Sequence, residues 1–225
     1  MSEKEFGRTT LDLVHGLVKR GISNISVIMR HSARYYDYDH PESEPFMVLT
    51  DEGKELSFDL GKSLPEKMTA RLFSSAFGRC IETAYLIDKG YVSRGGQTVS
   101  NSVEALLSPY YVKKPFELAA LMGNKPPDFI RYWFDGCISK DIIGDPKEVA
   151  REILSFPVKK VEGAAKNRID IGVTHDWNMY LIKEYCMGLR HEEVGKVDYL
   201  EGVVIYRENG CVYIANHQCD PIKLE

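Results

Sequence analysis

The residues most suited to chemistry are two histidines and three arginines, each found just past a short apolar run. Arg30-His31-Ser32-Ala33-Arg34 follows NISVIM (24–29), Arg79 comes shortly after ARLFS (70–74), and His175-Asp176 comes shortly after IDIGV (169–173). Short β-branched runs bounded by polar residues predict buried strands. Arg30, His31, Arg34, Arg79 and His175 therefore sit at C-terminal strand ends, the edge at which ligands bind in open α/β sheets. If the strands are neighbours, all five groups converge. Guanidinium groups make forked, charge-assisted hydrogen bonds to phosphate oxygens. Helices starting near Gly78 and Asp176 would aim their N-terminal dipoles at the same place. Such a cluster suits a phosphate dianion. A neutral imidazole inside it is a competent nucleophile, and phosphoryl transfer needs mainly alignment and charge neutralisation, with His175 bonding the transferred group.

The elements that must position these groups alternate in type. Residues 8–20 predict an amphipathic helix with Leu11, Val14 and Val18 on one face. A helix from about Asp51 has Thr50 as its N-cap and buries Leu56, Leu60 and Leu64. The helix after Ser75-Ala76-Phe77-Gly78-Arg79 carries Ile81, Ala84 and Tyr85, and Gly90 is its expected stop. A strand is expected near Val99 to Glu104, followed by the Pro- and aromatic-rich SPYYVKKPF. Asp145-Pro146-Lys147-Glu148 is a helix start with a capping Asp and an early proline. The helix after His175 ends at Gly188, and VVIYRENGCVYIAN predicts a hairpin turning on Asn209-Gly210. Alternating strands and helices predict a three-layer α/β/α sandwich with a mixed, mostly parallel central sheet. We read residues 1–225 as a single domain, with 91–145 as an inserted cap over the pocket.

Bulk composition narrows the function. The 225-residue chain is 44% hydrophobic and 28% charged, as in ordinary globular proteins. Its net charge of -4, from 29 basic and 33 acidic residues, argues against a general nucleic-acid binder. Five scattered cysteines lack CxxC spacing, so they predict free thiols in a reducing cytoplasm rather than a zinc or redox motif. The charged start MSEKEFGRTT does not resemble a signal peptide, and no apolar run approaches a membrane span. No cofactor, metal or membrane partner is expected. The polar stretch Tyr35, Tyr36, Asp37, Tyr38, Asp39, His40 and Glu42 lacks ordered metal-ligand spacing and reads as a solvated loop walling the substrate pocket. Lys113 and Lys114 read as a solvated turn, His15, His191 and His217 as structural or surface residues, and Trp177 as packing beside the site.

Several segments carry a family resemblance. Arg30-His31-Ser32-Ala33-Arg34 resembles the RHGxR signature of the histidine phosphatase superfamily. Leu49-Thr50-Asp51-Glu52-Gly53 is similar to its LTxxG segment, Ser74 to Arg79 with Thr83-Ala84 to its SSxxxR…TA element, and Thr174-His175-Asp176 to the HD motif of its acid phosphatase branch. The resemblance implies that His31 becomes phosphorylated, Arg30, Arg34 and Arg79 bind the phosphate, His175 completes the pocket, and Asp176 is the general acid. The chain is also as short as the mutase-like branch, whose acid is a mid-chain glutamate, and Glu104 would then take that role. The implied activity is metal-independent hydrolysis of a phosphomonoester, on a phosphorylated small molecule or a phosphoprotein. The alternatives are a phosphomutase, a protein phosphohistidine or phosphotyrosine phosphatase, and a non-catalytic phosphate-binding module on the same fold. Ser32 replaces the signature's usual glycine and would strain the backbone if that position needed a positive φ.

Overall fold

The structure is a computed structural model that describes residues 6–37, 39–123, 128–163 and 166–224, without the side chains of residues 41, 42 and 100. In chain order it runs α1 (Arg8–Lys19), β1 (Asn24–Arg30), a 3-10 turn (Pro41–Phe46), α2 (Asp51–Lys62), β2 (Thr69–Ser74), α3 (Gly78–Ser93) and β3 (Gln97–Val103). A second 3-10 turn (Ala105–Leu107) precedes α4 (Pro115–Gly123), α5 (Phe129–Phe134) and α6 (Pro146–Glu162). Then follow β4 (Arg168–Thr174), α7 (Asp176–Met187), α8 (His191–Val194), β5 (Gly202–Glu208), β6 (Cys211–Asn216) and β7 (Cys219–Leu224). Among the described residues, no helix is long and apolar enough to cross a membrane.

The seven strands form one sheet in the order β3-β2-β4-β1-β5-β6-β7. β3, β2, β4 and β1 are parallel, whereas β5, β6 and β7 are antiparallel. β1 and β4 are almost wholly buried because helices cover both faces. One face packs on α1, α2 and α3 through Leu17, Leu60, Ile87 and Tyr91. The other packs on α6 and α7 through Ile153, Phe156, Met179 and Ile182. The sandwich is therefore three-layered and the sheet mixed, as the alternation of elements predicts.

Register is fixed at the strands that carry the site. Arg71 on β2 and Asp170 on β4 are direct partners, and the guanidinium holds the fully buried carboxylate with two bonds of 2.5 and 2.8 Å. The ladder continues past the strand ends, where the His31 amide donates to Thr174 O (2.9 Å) and the Ser75 amide to Val173 O (2.9 Å). Thus His31, Ser75 and His175 leave three adjacent strands side by side. α2 approaches the same rim. Thr50 caps it by accepting from the Gly53 amide at 3.0 Å, and a Cβ at Gly53 would overlap the Ala33 carbonyl.

Two expectations need correction, and a third is extended. Gly90 does not stop α3, which continues to Ser93. Instead it lets α3 touch α2, since a Cβ there would overlap the Phe58 carbonyl oxygen. The segment 91–145 is not one cap. Residues 91–103 complete α3 and form the edge strand β3. Beyond them, Leu107, Tyr111, Trp133, Phe134 and Ile143 join the core beneath α6 and α7. Finally, β7 extends the expected hairpin to three strands. Gly90→Ala should destabilise the protein by about 1–3 kcal/mol, because the added methyl meets backbone rather than a yielding side chain. Urea unfolding checks this, and an unchanged midpoint would contradict it.

Candidate active site

His31, Arg79 and His175 lie together at the C-terminal rim of β1, β2 and β4, only 2%, 3% and 6% exposed. The two imidazoles meet edge to face with centroids 5.7 Å apart. His31 Nδ1 lies 2.8 Å from the Ser32 carbonyl oxygen, which can only accept, so Nδ1 carries the proton. Nε2 then keeps its lone pair. Ser32 has no positive φ, so the serine sits in this loop without backbone strain. Its amide donates to Thr83 Oγ1 at 3.2 Å, tying the loop to α3.

The same reasoning orients His175. Arg79 Nη2 lies 3.2 Å from His175 Nδ1, and a guanidinium can only donate, so Nδ1 is bare. Nε2–H donates to Ser75 Oγ at 2.8 Å. Phe77 packs its ring edge to face on His175 at 4.9 Å. Burial is the largest cause holding both histidines well below the usual imidazole pKa. Arg79 adds to it at both, and His175 also feels Arg34 and Arg30. Burial likewise lowers the Arg79 guanidinium from its ordinary value.

The arginines divide their contacts. Arg34 Nη2 and Arg79 Nη2 both lie 2.9 Å from the same carboxylate oxygen, Glu44 Oε1. Arg30 turns the other way. Its Nη1 donates to Val197 O at 2.7 Å, its Nη2 lies 3.3 Å from Asp176 Oδ2, and its guanidinium stacks 4.3 Å from the Tyr199 ring. The loop that supplies Val197 and Tyr199 is anchored from below by a buried Lys183–Glu201 pair at 2.7 Å. Leu200 in that loop is buried at φ 58, a costly conformation for leucine that packing must hold.

Asp176, the first residue of α7, accepts from the Trp177 amide at 2.9 Å and faces a cleft of about 430 Å³. Arg30, Tyr36, Trp177, Lys196 and Tyr199 also line that cleft. Among the described residues of 91–145 none does, although Ser108 Oγ accepts from the Ala76 amide (3.0 Å) at the rim. Glu104 sits at the end of the edge strand, and its Oε1 accepts from the Leu106 amide at 3.4 Å. A second cleft, about 460 Å³, lies at the opposite ends of β2 and β3 beside Lys67 and Arg94, and includes none of these residues.

The remaining candidates have other uses. Tyr36 walls the cleft and stacks on Arg34 at 4.1 Å, whereas Asp37 and His40 pair with each other at 3.1 Å in solvent. Tyr38, and the side chain of Glu42, lie outside the described residues. Lys113 donates to Lys140 O and Lys114 pairs with Glu117, so neither faces the cleft. His15 bonds Ser63 O. His191 joins Asp128 and Glu192, whose three ligand atoms lie within 4.8 Å, but Arg131 already holds the Glu192 carboxylate. All five cysteines are free. The sequence reading missed Glu44, Tyr199 and Lys196. Each stands in a polar stretch without periodicity, and only the fold brings it to the rim.

The lowered histidine pKa values set a pH dependence of stability. Below about pH 6.5 the unfolded chain takes up protons that folded His31 and His175 refuse, so stability is complete above that pH and declines beneath it. Each histidine should contribute up to about 1.4 kcal/mol per pH unit. Urea unfolding of native protein and His31→Gln between pH 7 and 5 measures this. The variant should show the shallower decline, and equal slopes would refute it.

No protein-family model matches the sequence, and no curated protein matches it either. Solved structures do share its architecture. Phosphoglycerate mutase from Bacillus anthracis superposes with a TM-score of 0.58 at 16% identity, covering 88% of this chain and 94% of that one. A mycobacterial glucosyl-3-phosphoglycerate phosphatase gives 0.56 at 14% identity, over 83% and 91% of the two chains. A phosphoserine phosphatase variant from Entamoeba histolytica, in complex with phosphoserine, gives 0.54 at 10% identity, over 89% and 95%. The chain therefore has the fold of phosphoglycerate mutase.

Proposed function

We propose that the protein hydrolyses phosphomonoesters through a phosphohistidine formed on His31. The observation that carries this reading is a buried, neutral imidazole whose Nδ1 proton is committed to Ser32 O, leaving Nε2 as a nucleophile beside Arg79 and His175. Nε2 attacks phosphorus while the ester P–O bond breaks. The leaving oxygen takes its proton from Asp176, which faces the cleft where that group would lie. Water then attacks the phosphorus, giving its proton to the Asp176 carboxylate. The P–N bond breaks, releasing phosphate and restoring His31. Arg34, Arg79 and Arg30 supply the positive charge that the equatorial oxygens require. Asp176 suits the acid role better than Glu104, which caps a turn on an edge strand two strands removed from β4. The substrate on this reading is a cytoplasmic phosphorylated small molecule or phosphoprotein.

Hydrolysis of p-nitrophenyl phosphate at mildly acidic pH, with and without chelator, tests the mechanism. Activity should resist the chelator and fall at least about a thousandfold in His31→Ala. Activity surviving in that variant would sink the covalent mechanism, and inactivity of the native protein would favour a binding module. Asp176→Asn should lose about 10²–10⁴ in kcat on alkyl phosphates and much less on nitrophenyl phosphate, whose leaving group needs no proton. Equal losses on both substrates would remove Asp176 from the acid role.

A further inference from the structure

The site described above is already filled by an anion of the protein's own. Glu44 Oε1 sits 2.9 Å from Arg34 Nη2 and 2.9 Å from Arg79 Nη2, and Arg79 Nη1 donates to the Glu44 carbonyl oxygen at 3.0 Å. One carboxylate oxygen shared by two guanidinium groups reproduces the charge and donor geometry that a phosphate oxygen would meet there. We propose that Glu44 is an internal competitor for the phosphate cradle, displaced by the substrate's phosphoryl group, and that it sets the affinity of the site for phosphate. The inference rests on the phosphate-binding reading of Arg34 and Arg79.

Three further features support it. First, the two partners differ in mobility of environment: the Arg34 and Arg79 side chains are 10% and 4% exposed, whereas the Glu44 side chain is 42% exposed. The cations are embedded and the carboxylate is at the surface, so Glu44 is the group that can leave into water at small desolvation cost. Second, Glu44 stands on a 3-10 turn on the surface, between Pro41 and Pro45. Rotation of its side chain alone frees Nη2 of both arginines, while the bond from Arg79 Nη1 to the Glu44 carbonyl persists. Third, His31 is only 2% exposed, so a phosphoryl group reaches it only after some neighbouring group moves. Glu44 also supplies the counter-charge that two neighbouring guanidinium groups need. Embedded cations with no counter-ion repel and pay desolvation, and a removable carboxylate holds them in place until substrate arrives.

An internal competitor acts equally against ground state and transition state, because both require it to be gone. Its removal should therefore lower KM and leave kcat unchanged. A general acid would behave oppositely. The experiment is isothermal titration with inorganic phosphate, plus nitrophenyl phosphate kinetics, on native protein, Glu44→Gln, Glu44→Ala and Arg79→Ala. Glu44→Gln keeps the shape and removes the charge, so phosphate should bind about ten- to hundredfold tighter, the equivalent of one charged hydrogen bond released. KM should fall with it at constant kcat, Glu44→Ala should behave alike, and Arg79→Ala should bind phosphate weakly. Phosphate binding that is unchanged or weaker in both Glu44 variants, against a native protein that does bind, overturns the competitor role and leaves the phosphate site standing. A fall in kcat at unchanged KM also overturns it, and points to Glu44 as a proton donor. Absence of phosphate binding in every protein overturns the phosphate-site reading and the competitor with it.

Discussion

Positive charge crowded at one rim of a parallel sheet is the constraint to which the surrounding structure answers. Strands β1, β2 and β4 end side by side, and the residues just beyond them bring three guanidinium groups and two imidazoles together under helices that exclude water. Unrelieved, such a cluster would be repulsive and poorly solvated. Relief comes in three forms. The histidines stay neutral through burial and the nearby arginines. Arg34 and Arg79 share Glu44, and Arg30 divides itself among Val197 O, Asp176 and the face of Tyr199. The same burial that makes protonation of His31 unfavourable keeps a lone pair on its ring, so stability and the proposed chemistry draw on one electrostatic arrangement.

Holding that arrangement is the task of elements outside the rim. The Arg71–Asp170 pair sets β2 against β4, and a one-residue slip would turn the side chains beyond both strands to the wrong face. Gly53 lets α2 meet the signature loop at Ala33. The buried Lys183–Glu201 pair anchors the strained loop at Leu200, and through Val197 and Tyr199 that loop fixes Arg30. Removing either member of such a pair leaves a lone buried charge, so positioning of Arg30 depends on residues that do not touch it.

How much of this was legible in the sequence follows from the range of each signal. β1 and β4 are mostly apolar and buried and β2 is a short run with alternate residues buried, all with abrupt polar ends, so these strands and the five basic groups at or beyond their ends were readable locally. So were the Thr50 and Asp145 caps and the Asn209-Gly210 turn, each a short-range hydrogen-bond or φ requirement. Gly90 misled because its role is a contact with α2, and a glycine chosen for close approach looks the same in sequence as one chosen to end a helix. Residues 105–144 misled for a related reason. Their aromatics, Tyr111, Trp133 and Phe134, pack beneath α6 and α7 rather than over a pocket, and nothing local distinguishes the two. Glu44 was invisible because a lone carboxylate in a proline-flanked polar stretch gains meaning only from two arginines distant in sequence.

On the proposed reading, the two carboxylates at the rim take separate roles by position. Asp176 opens α7 and faces the cleft, with Arg30 on one oxygen and the Trp177 amide on the other, so it is oriented by its partners and stays where a leaving group would arrive. Glu44 pairs instead with Arg34 and Arg79, the groups proposed to bind phosphate. The proposed acid is thus held at a helix start, and the proposed competitor stands on an exposed 3-10 turn. Exchanging their surroundings would exchange their roles: Asp176 between the arginines would block the phosphate, and Glu44 at the cleft would lie beside the leaving oxygen. Function at this rim is decided less by which acids are present than by which cations each one faces.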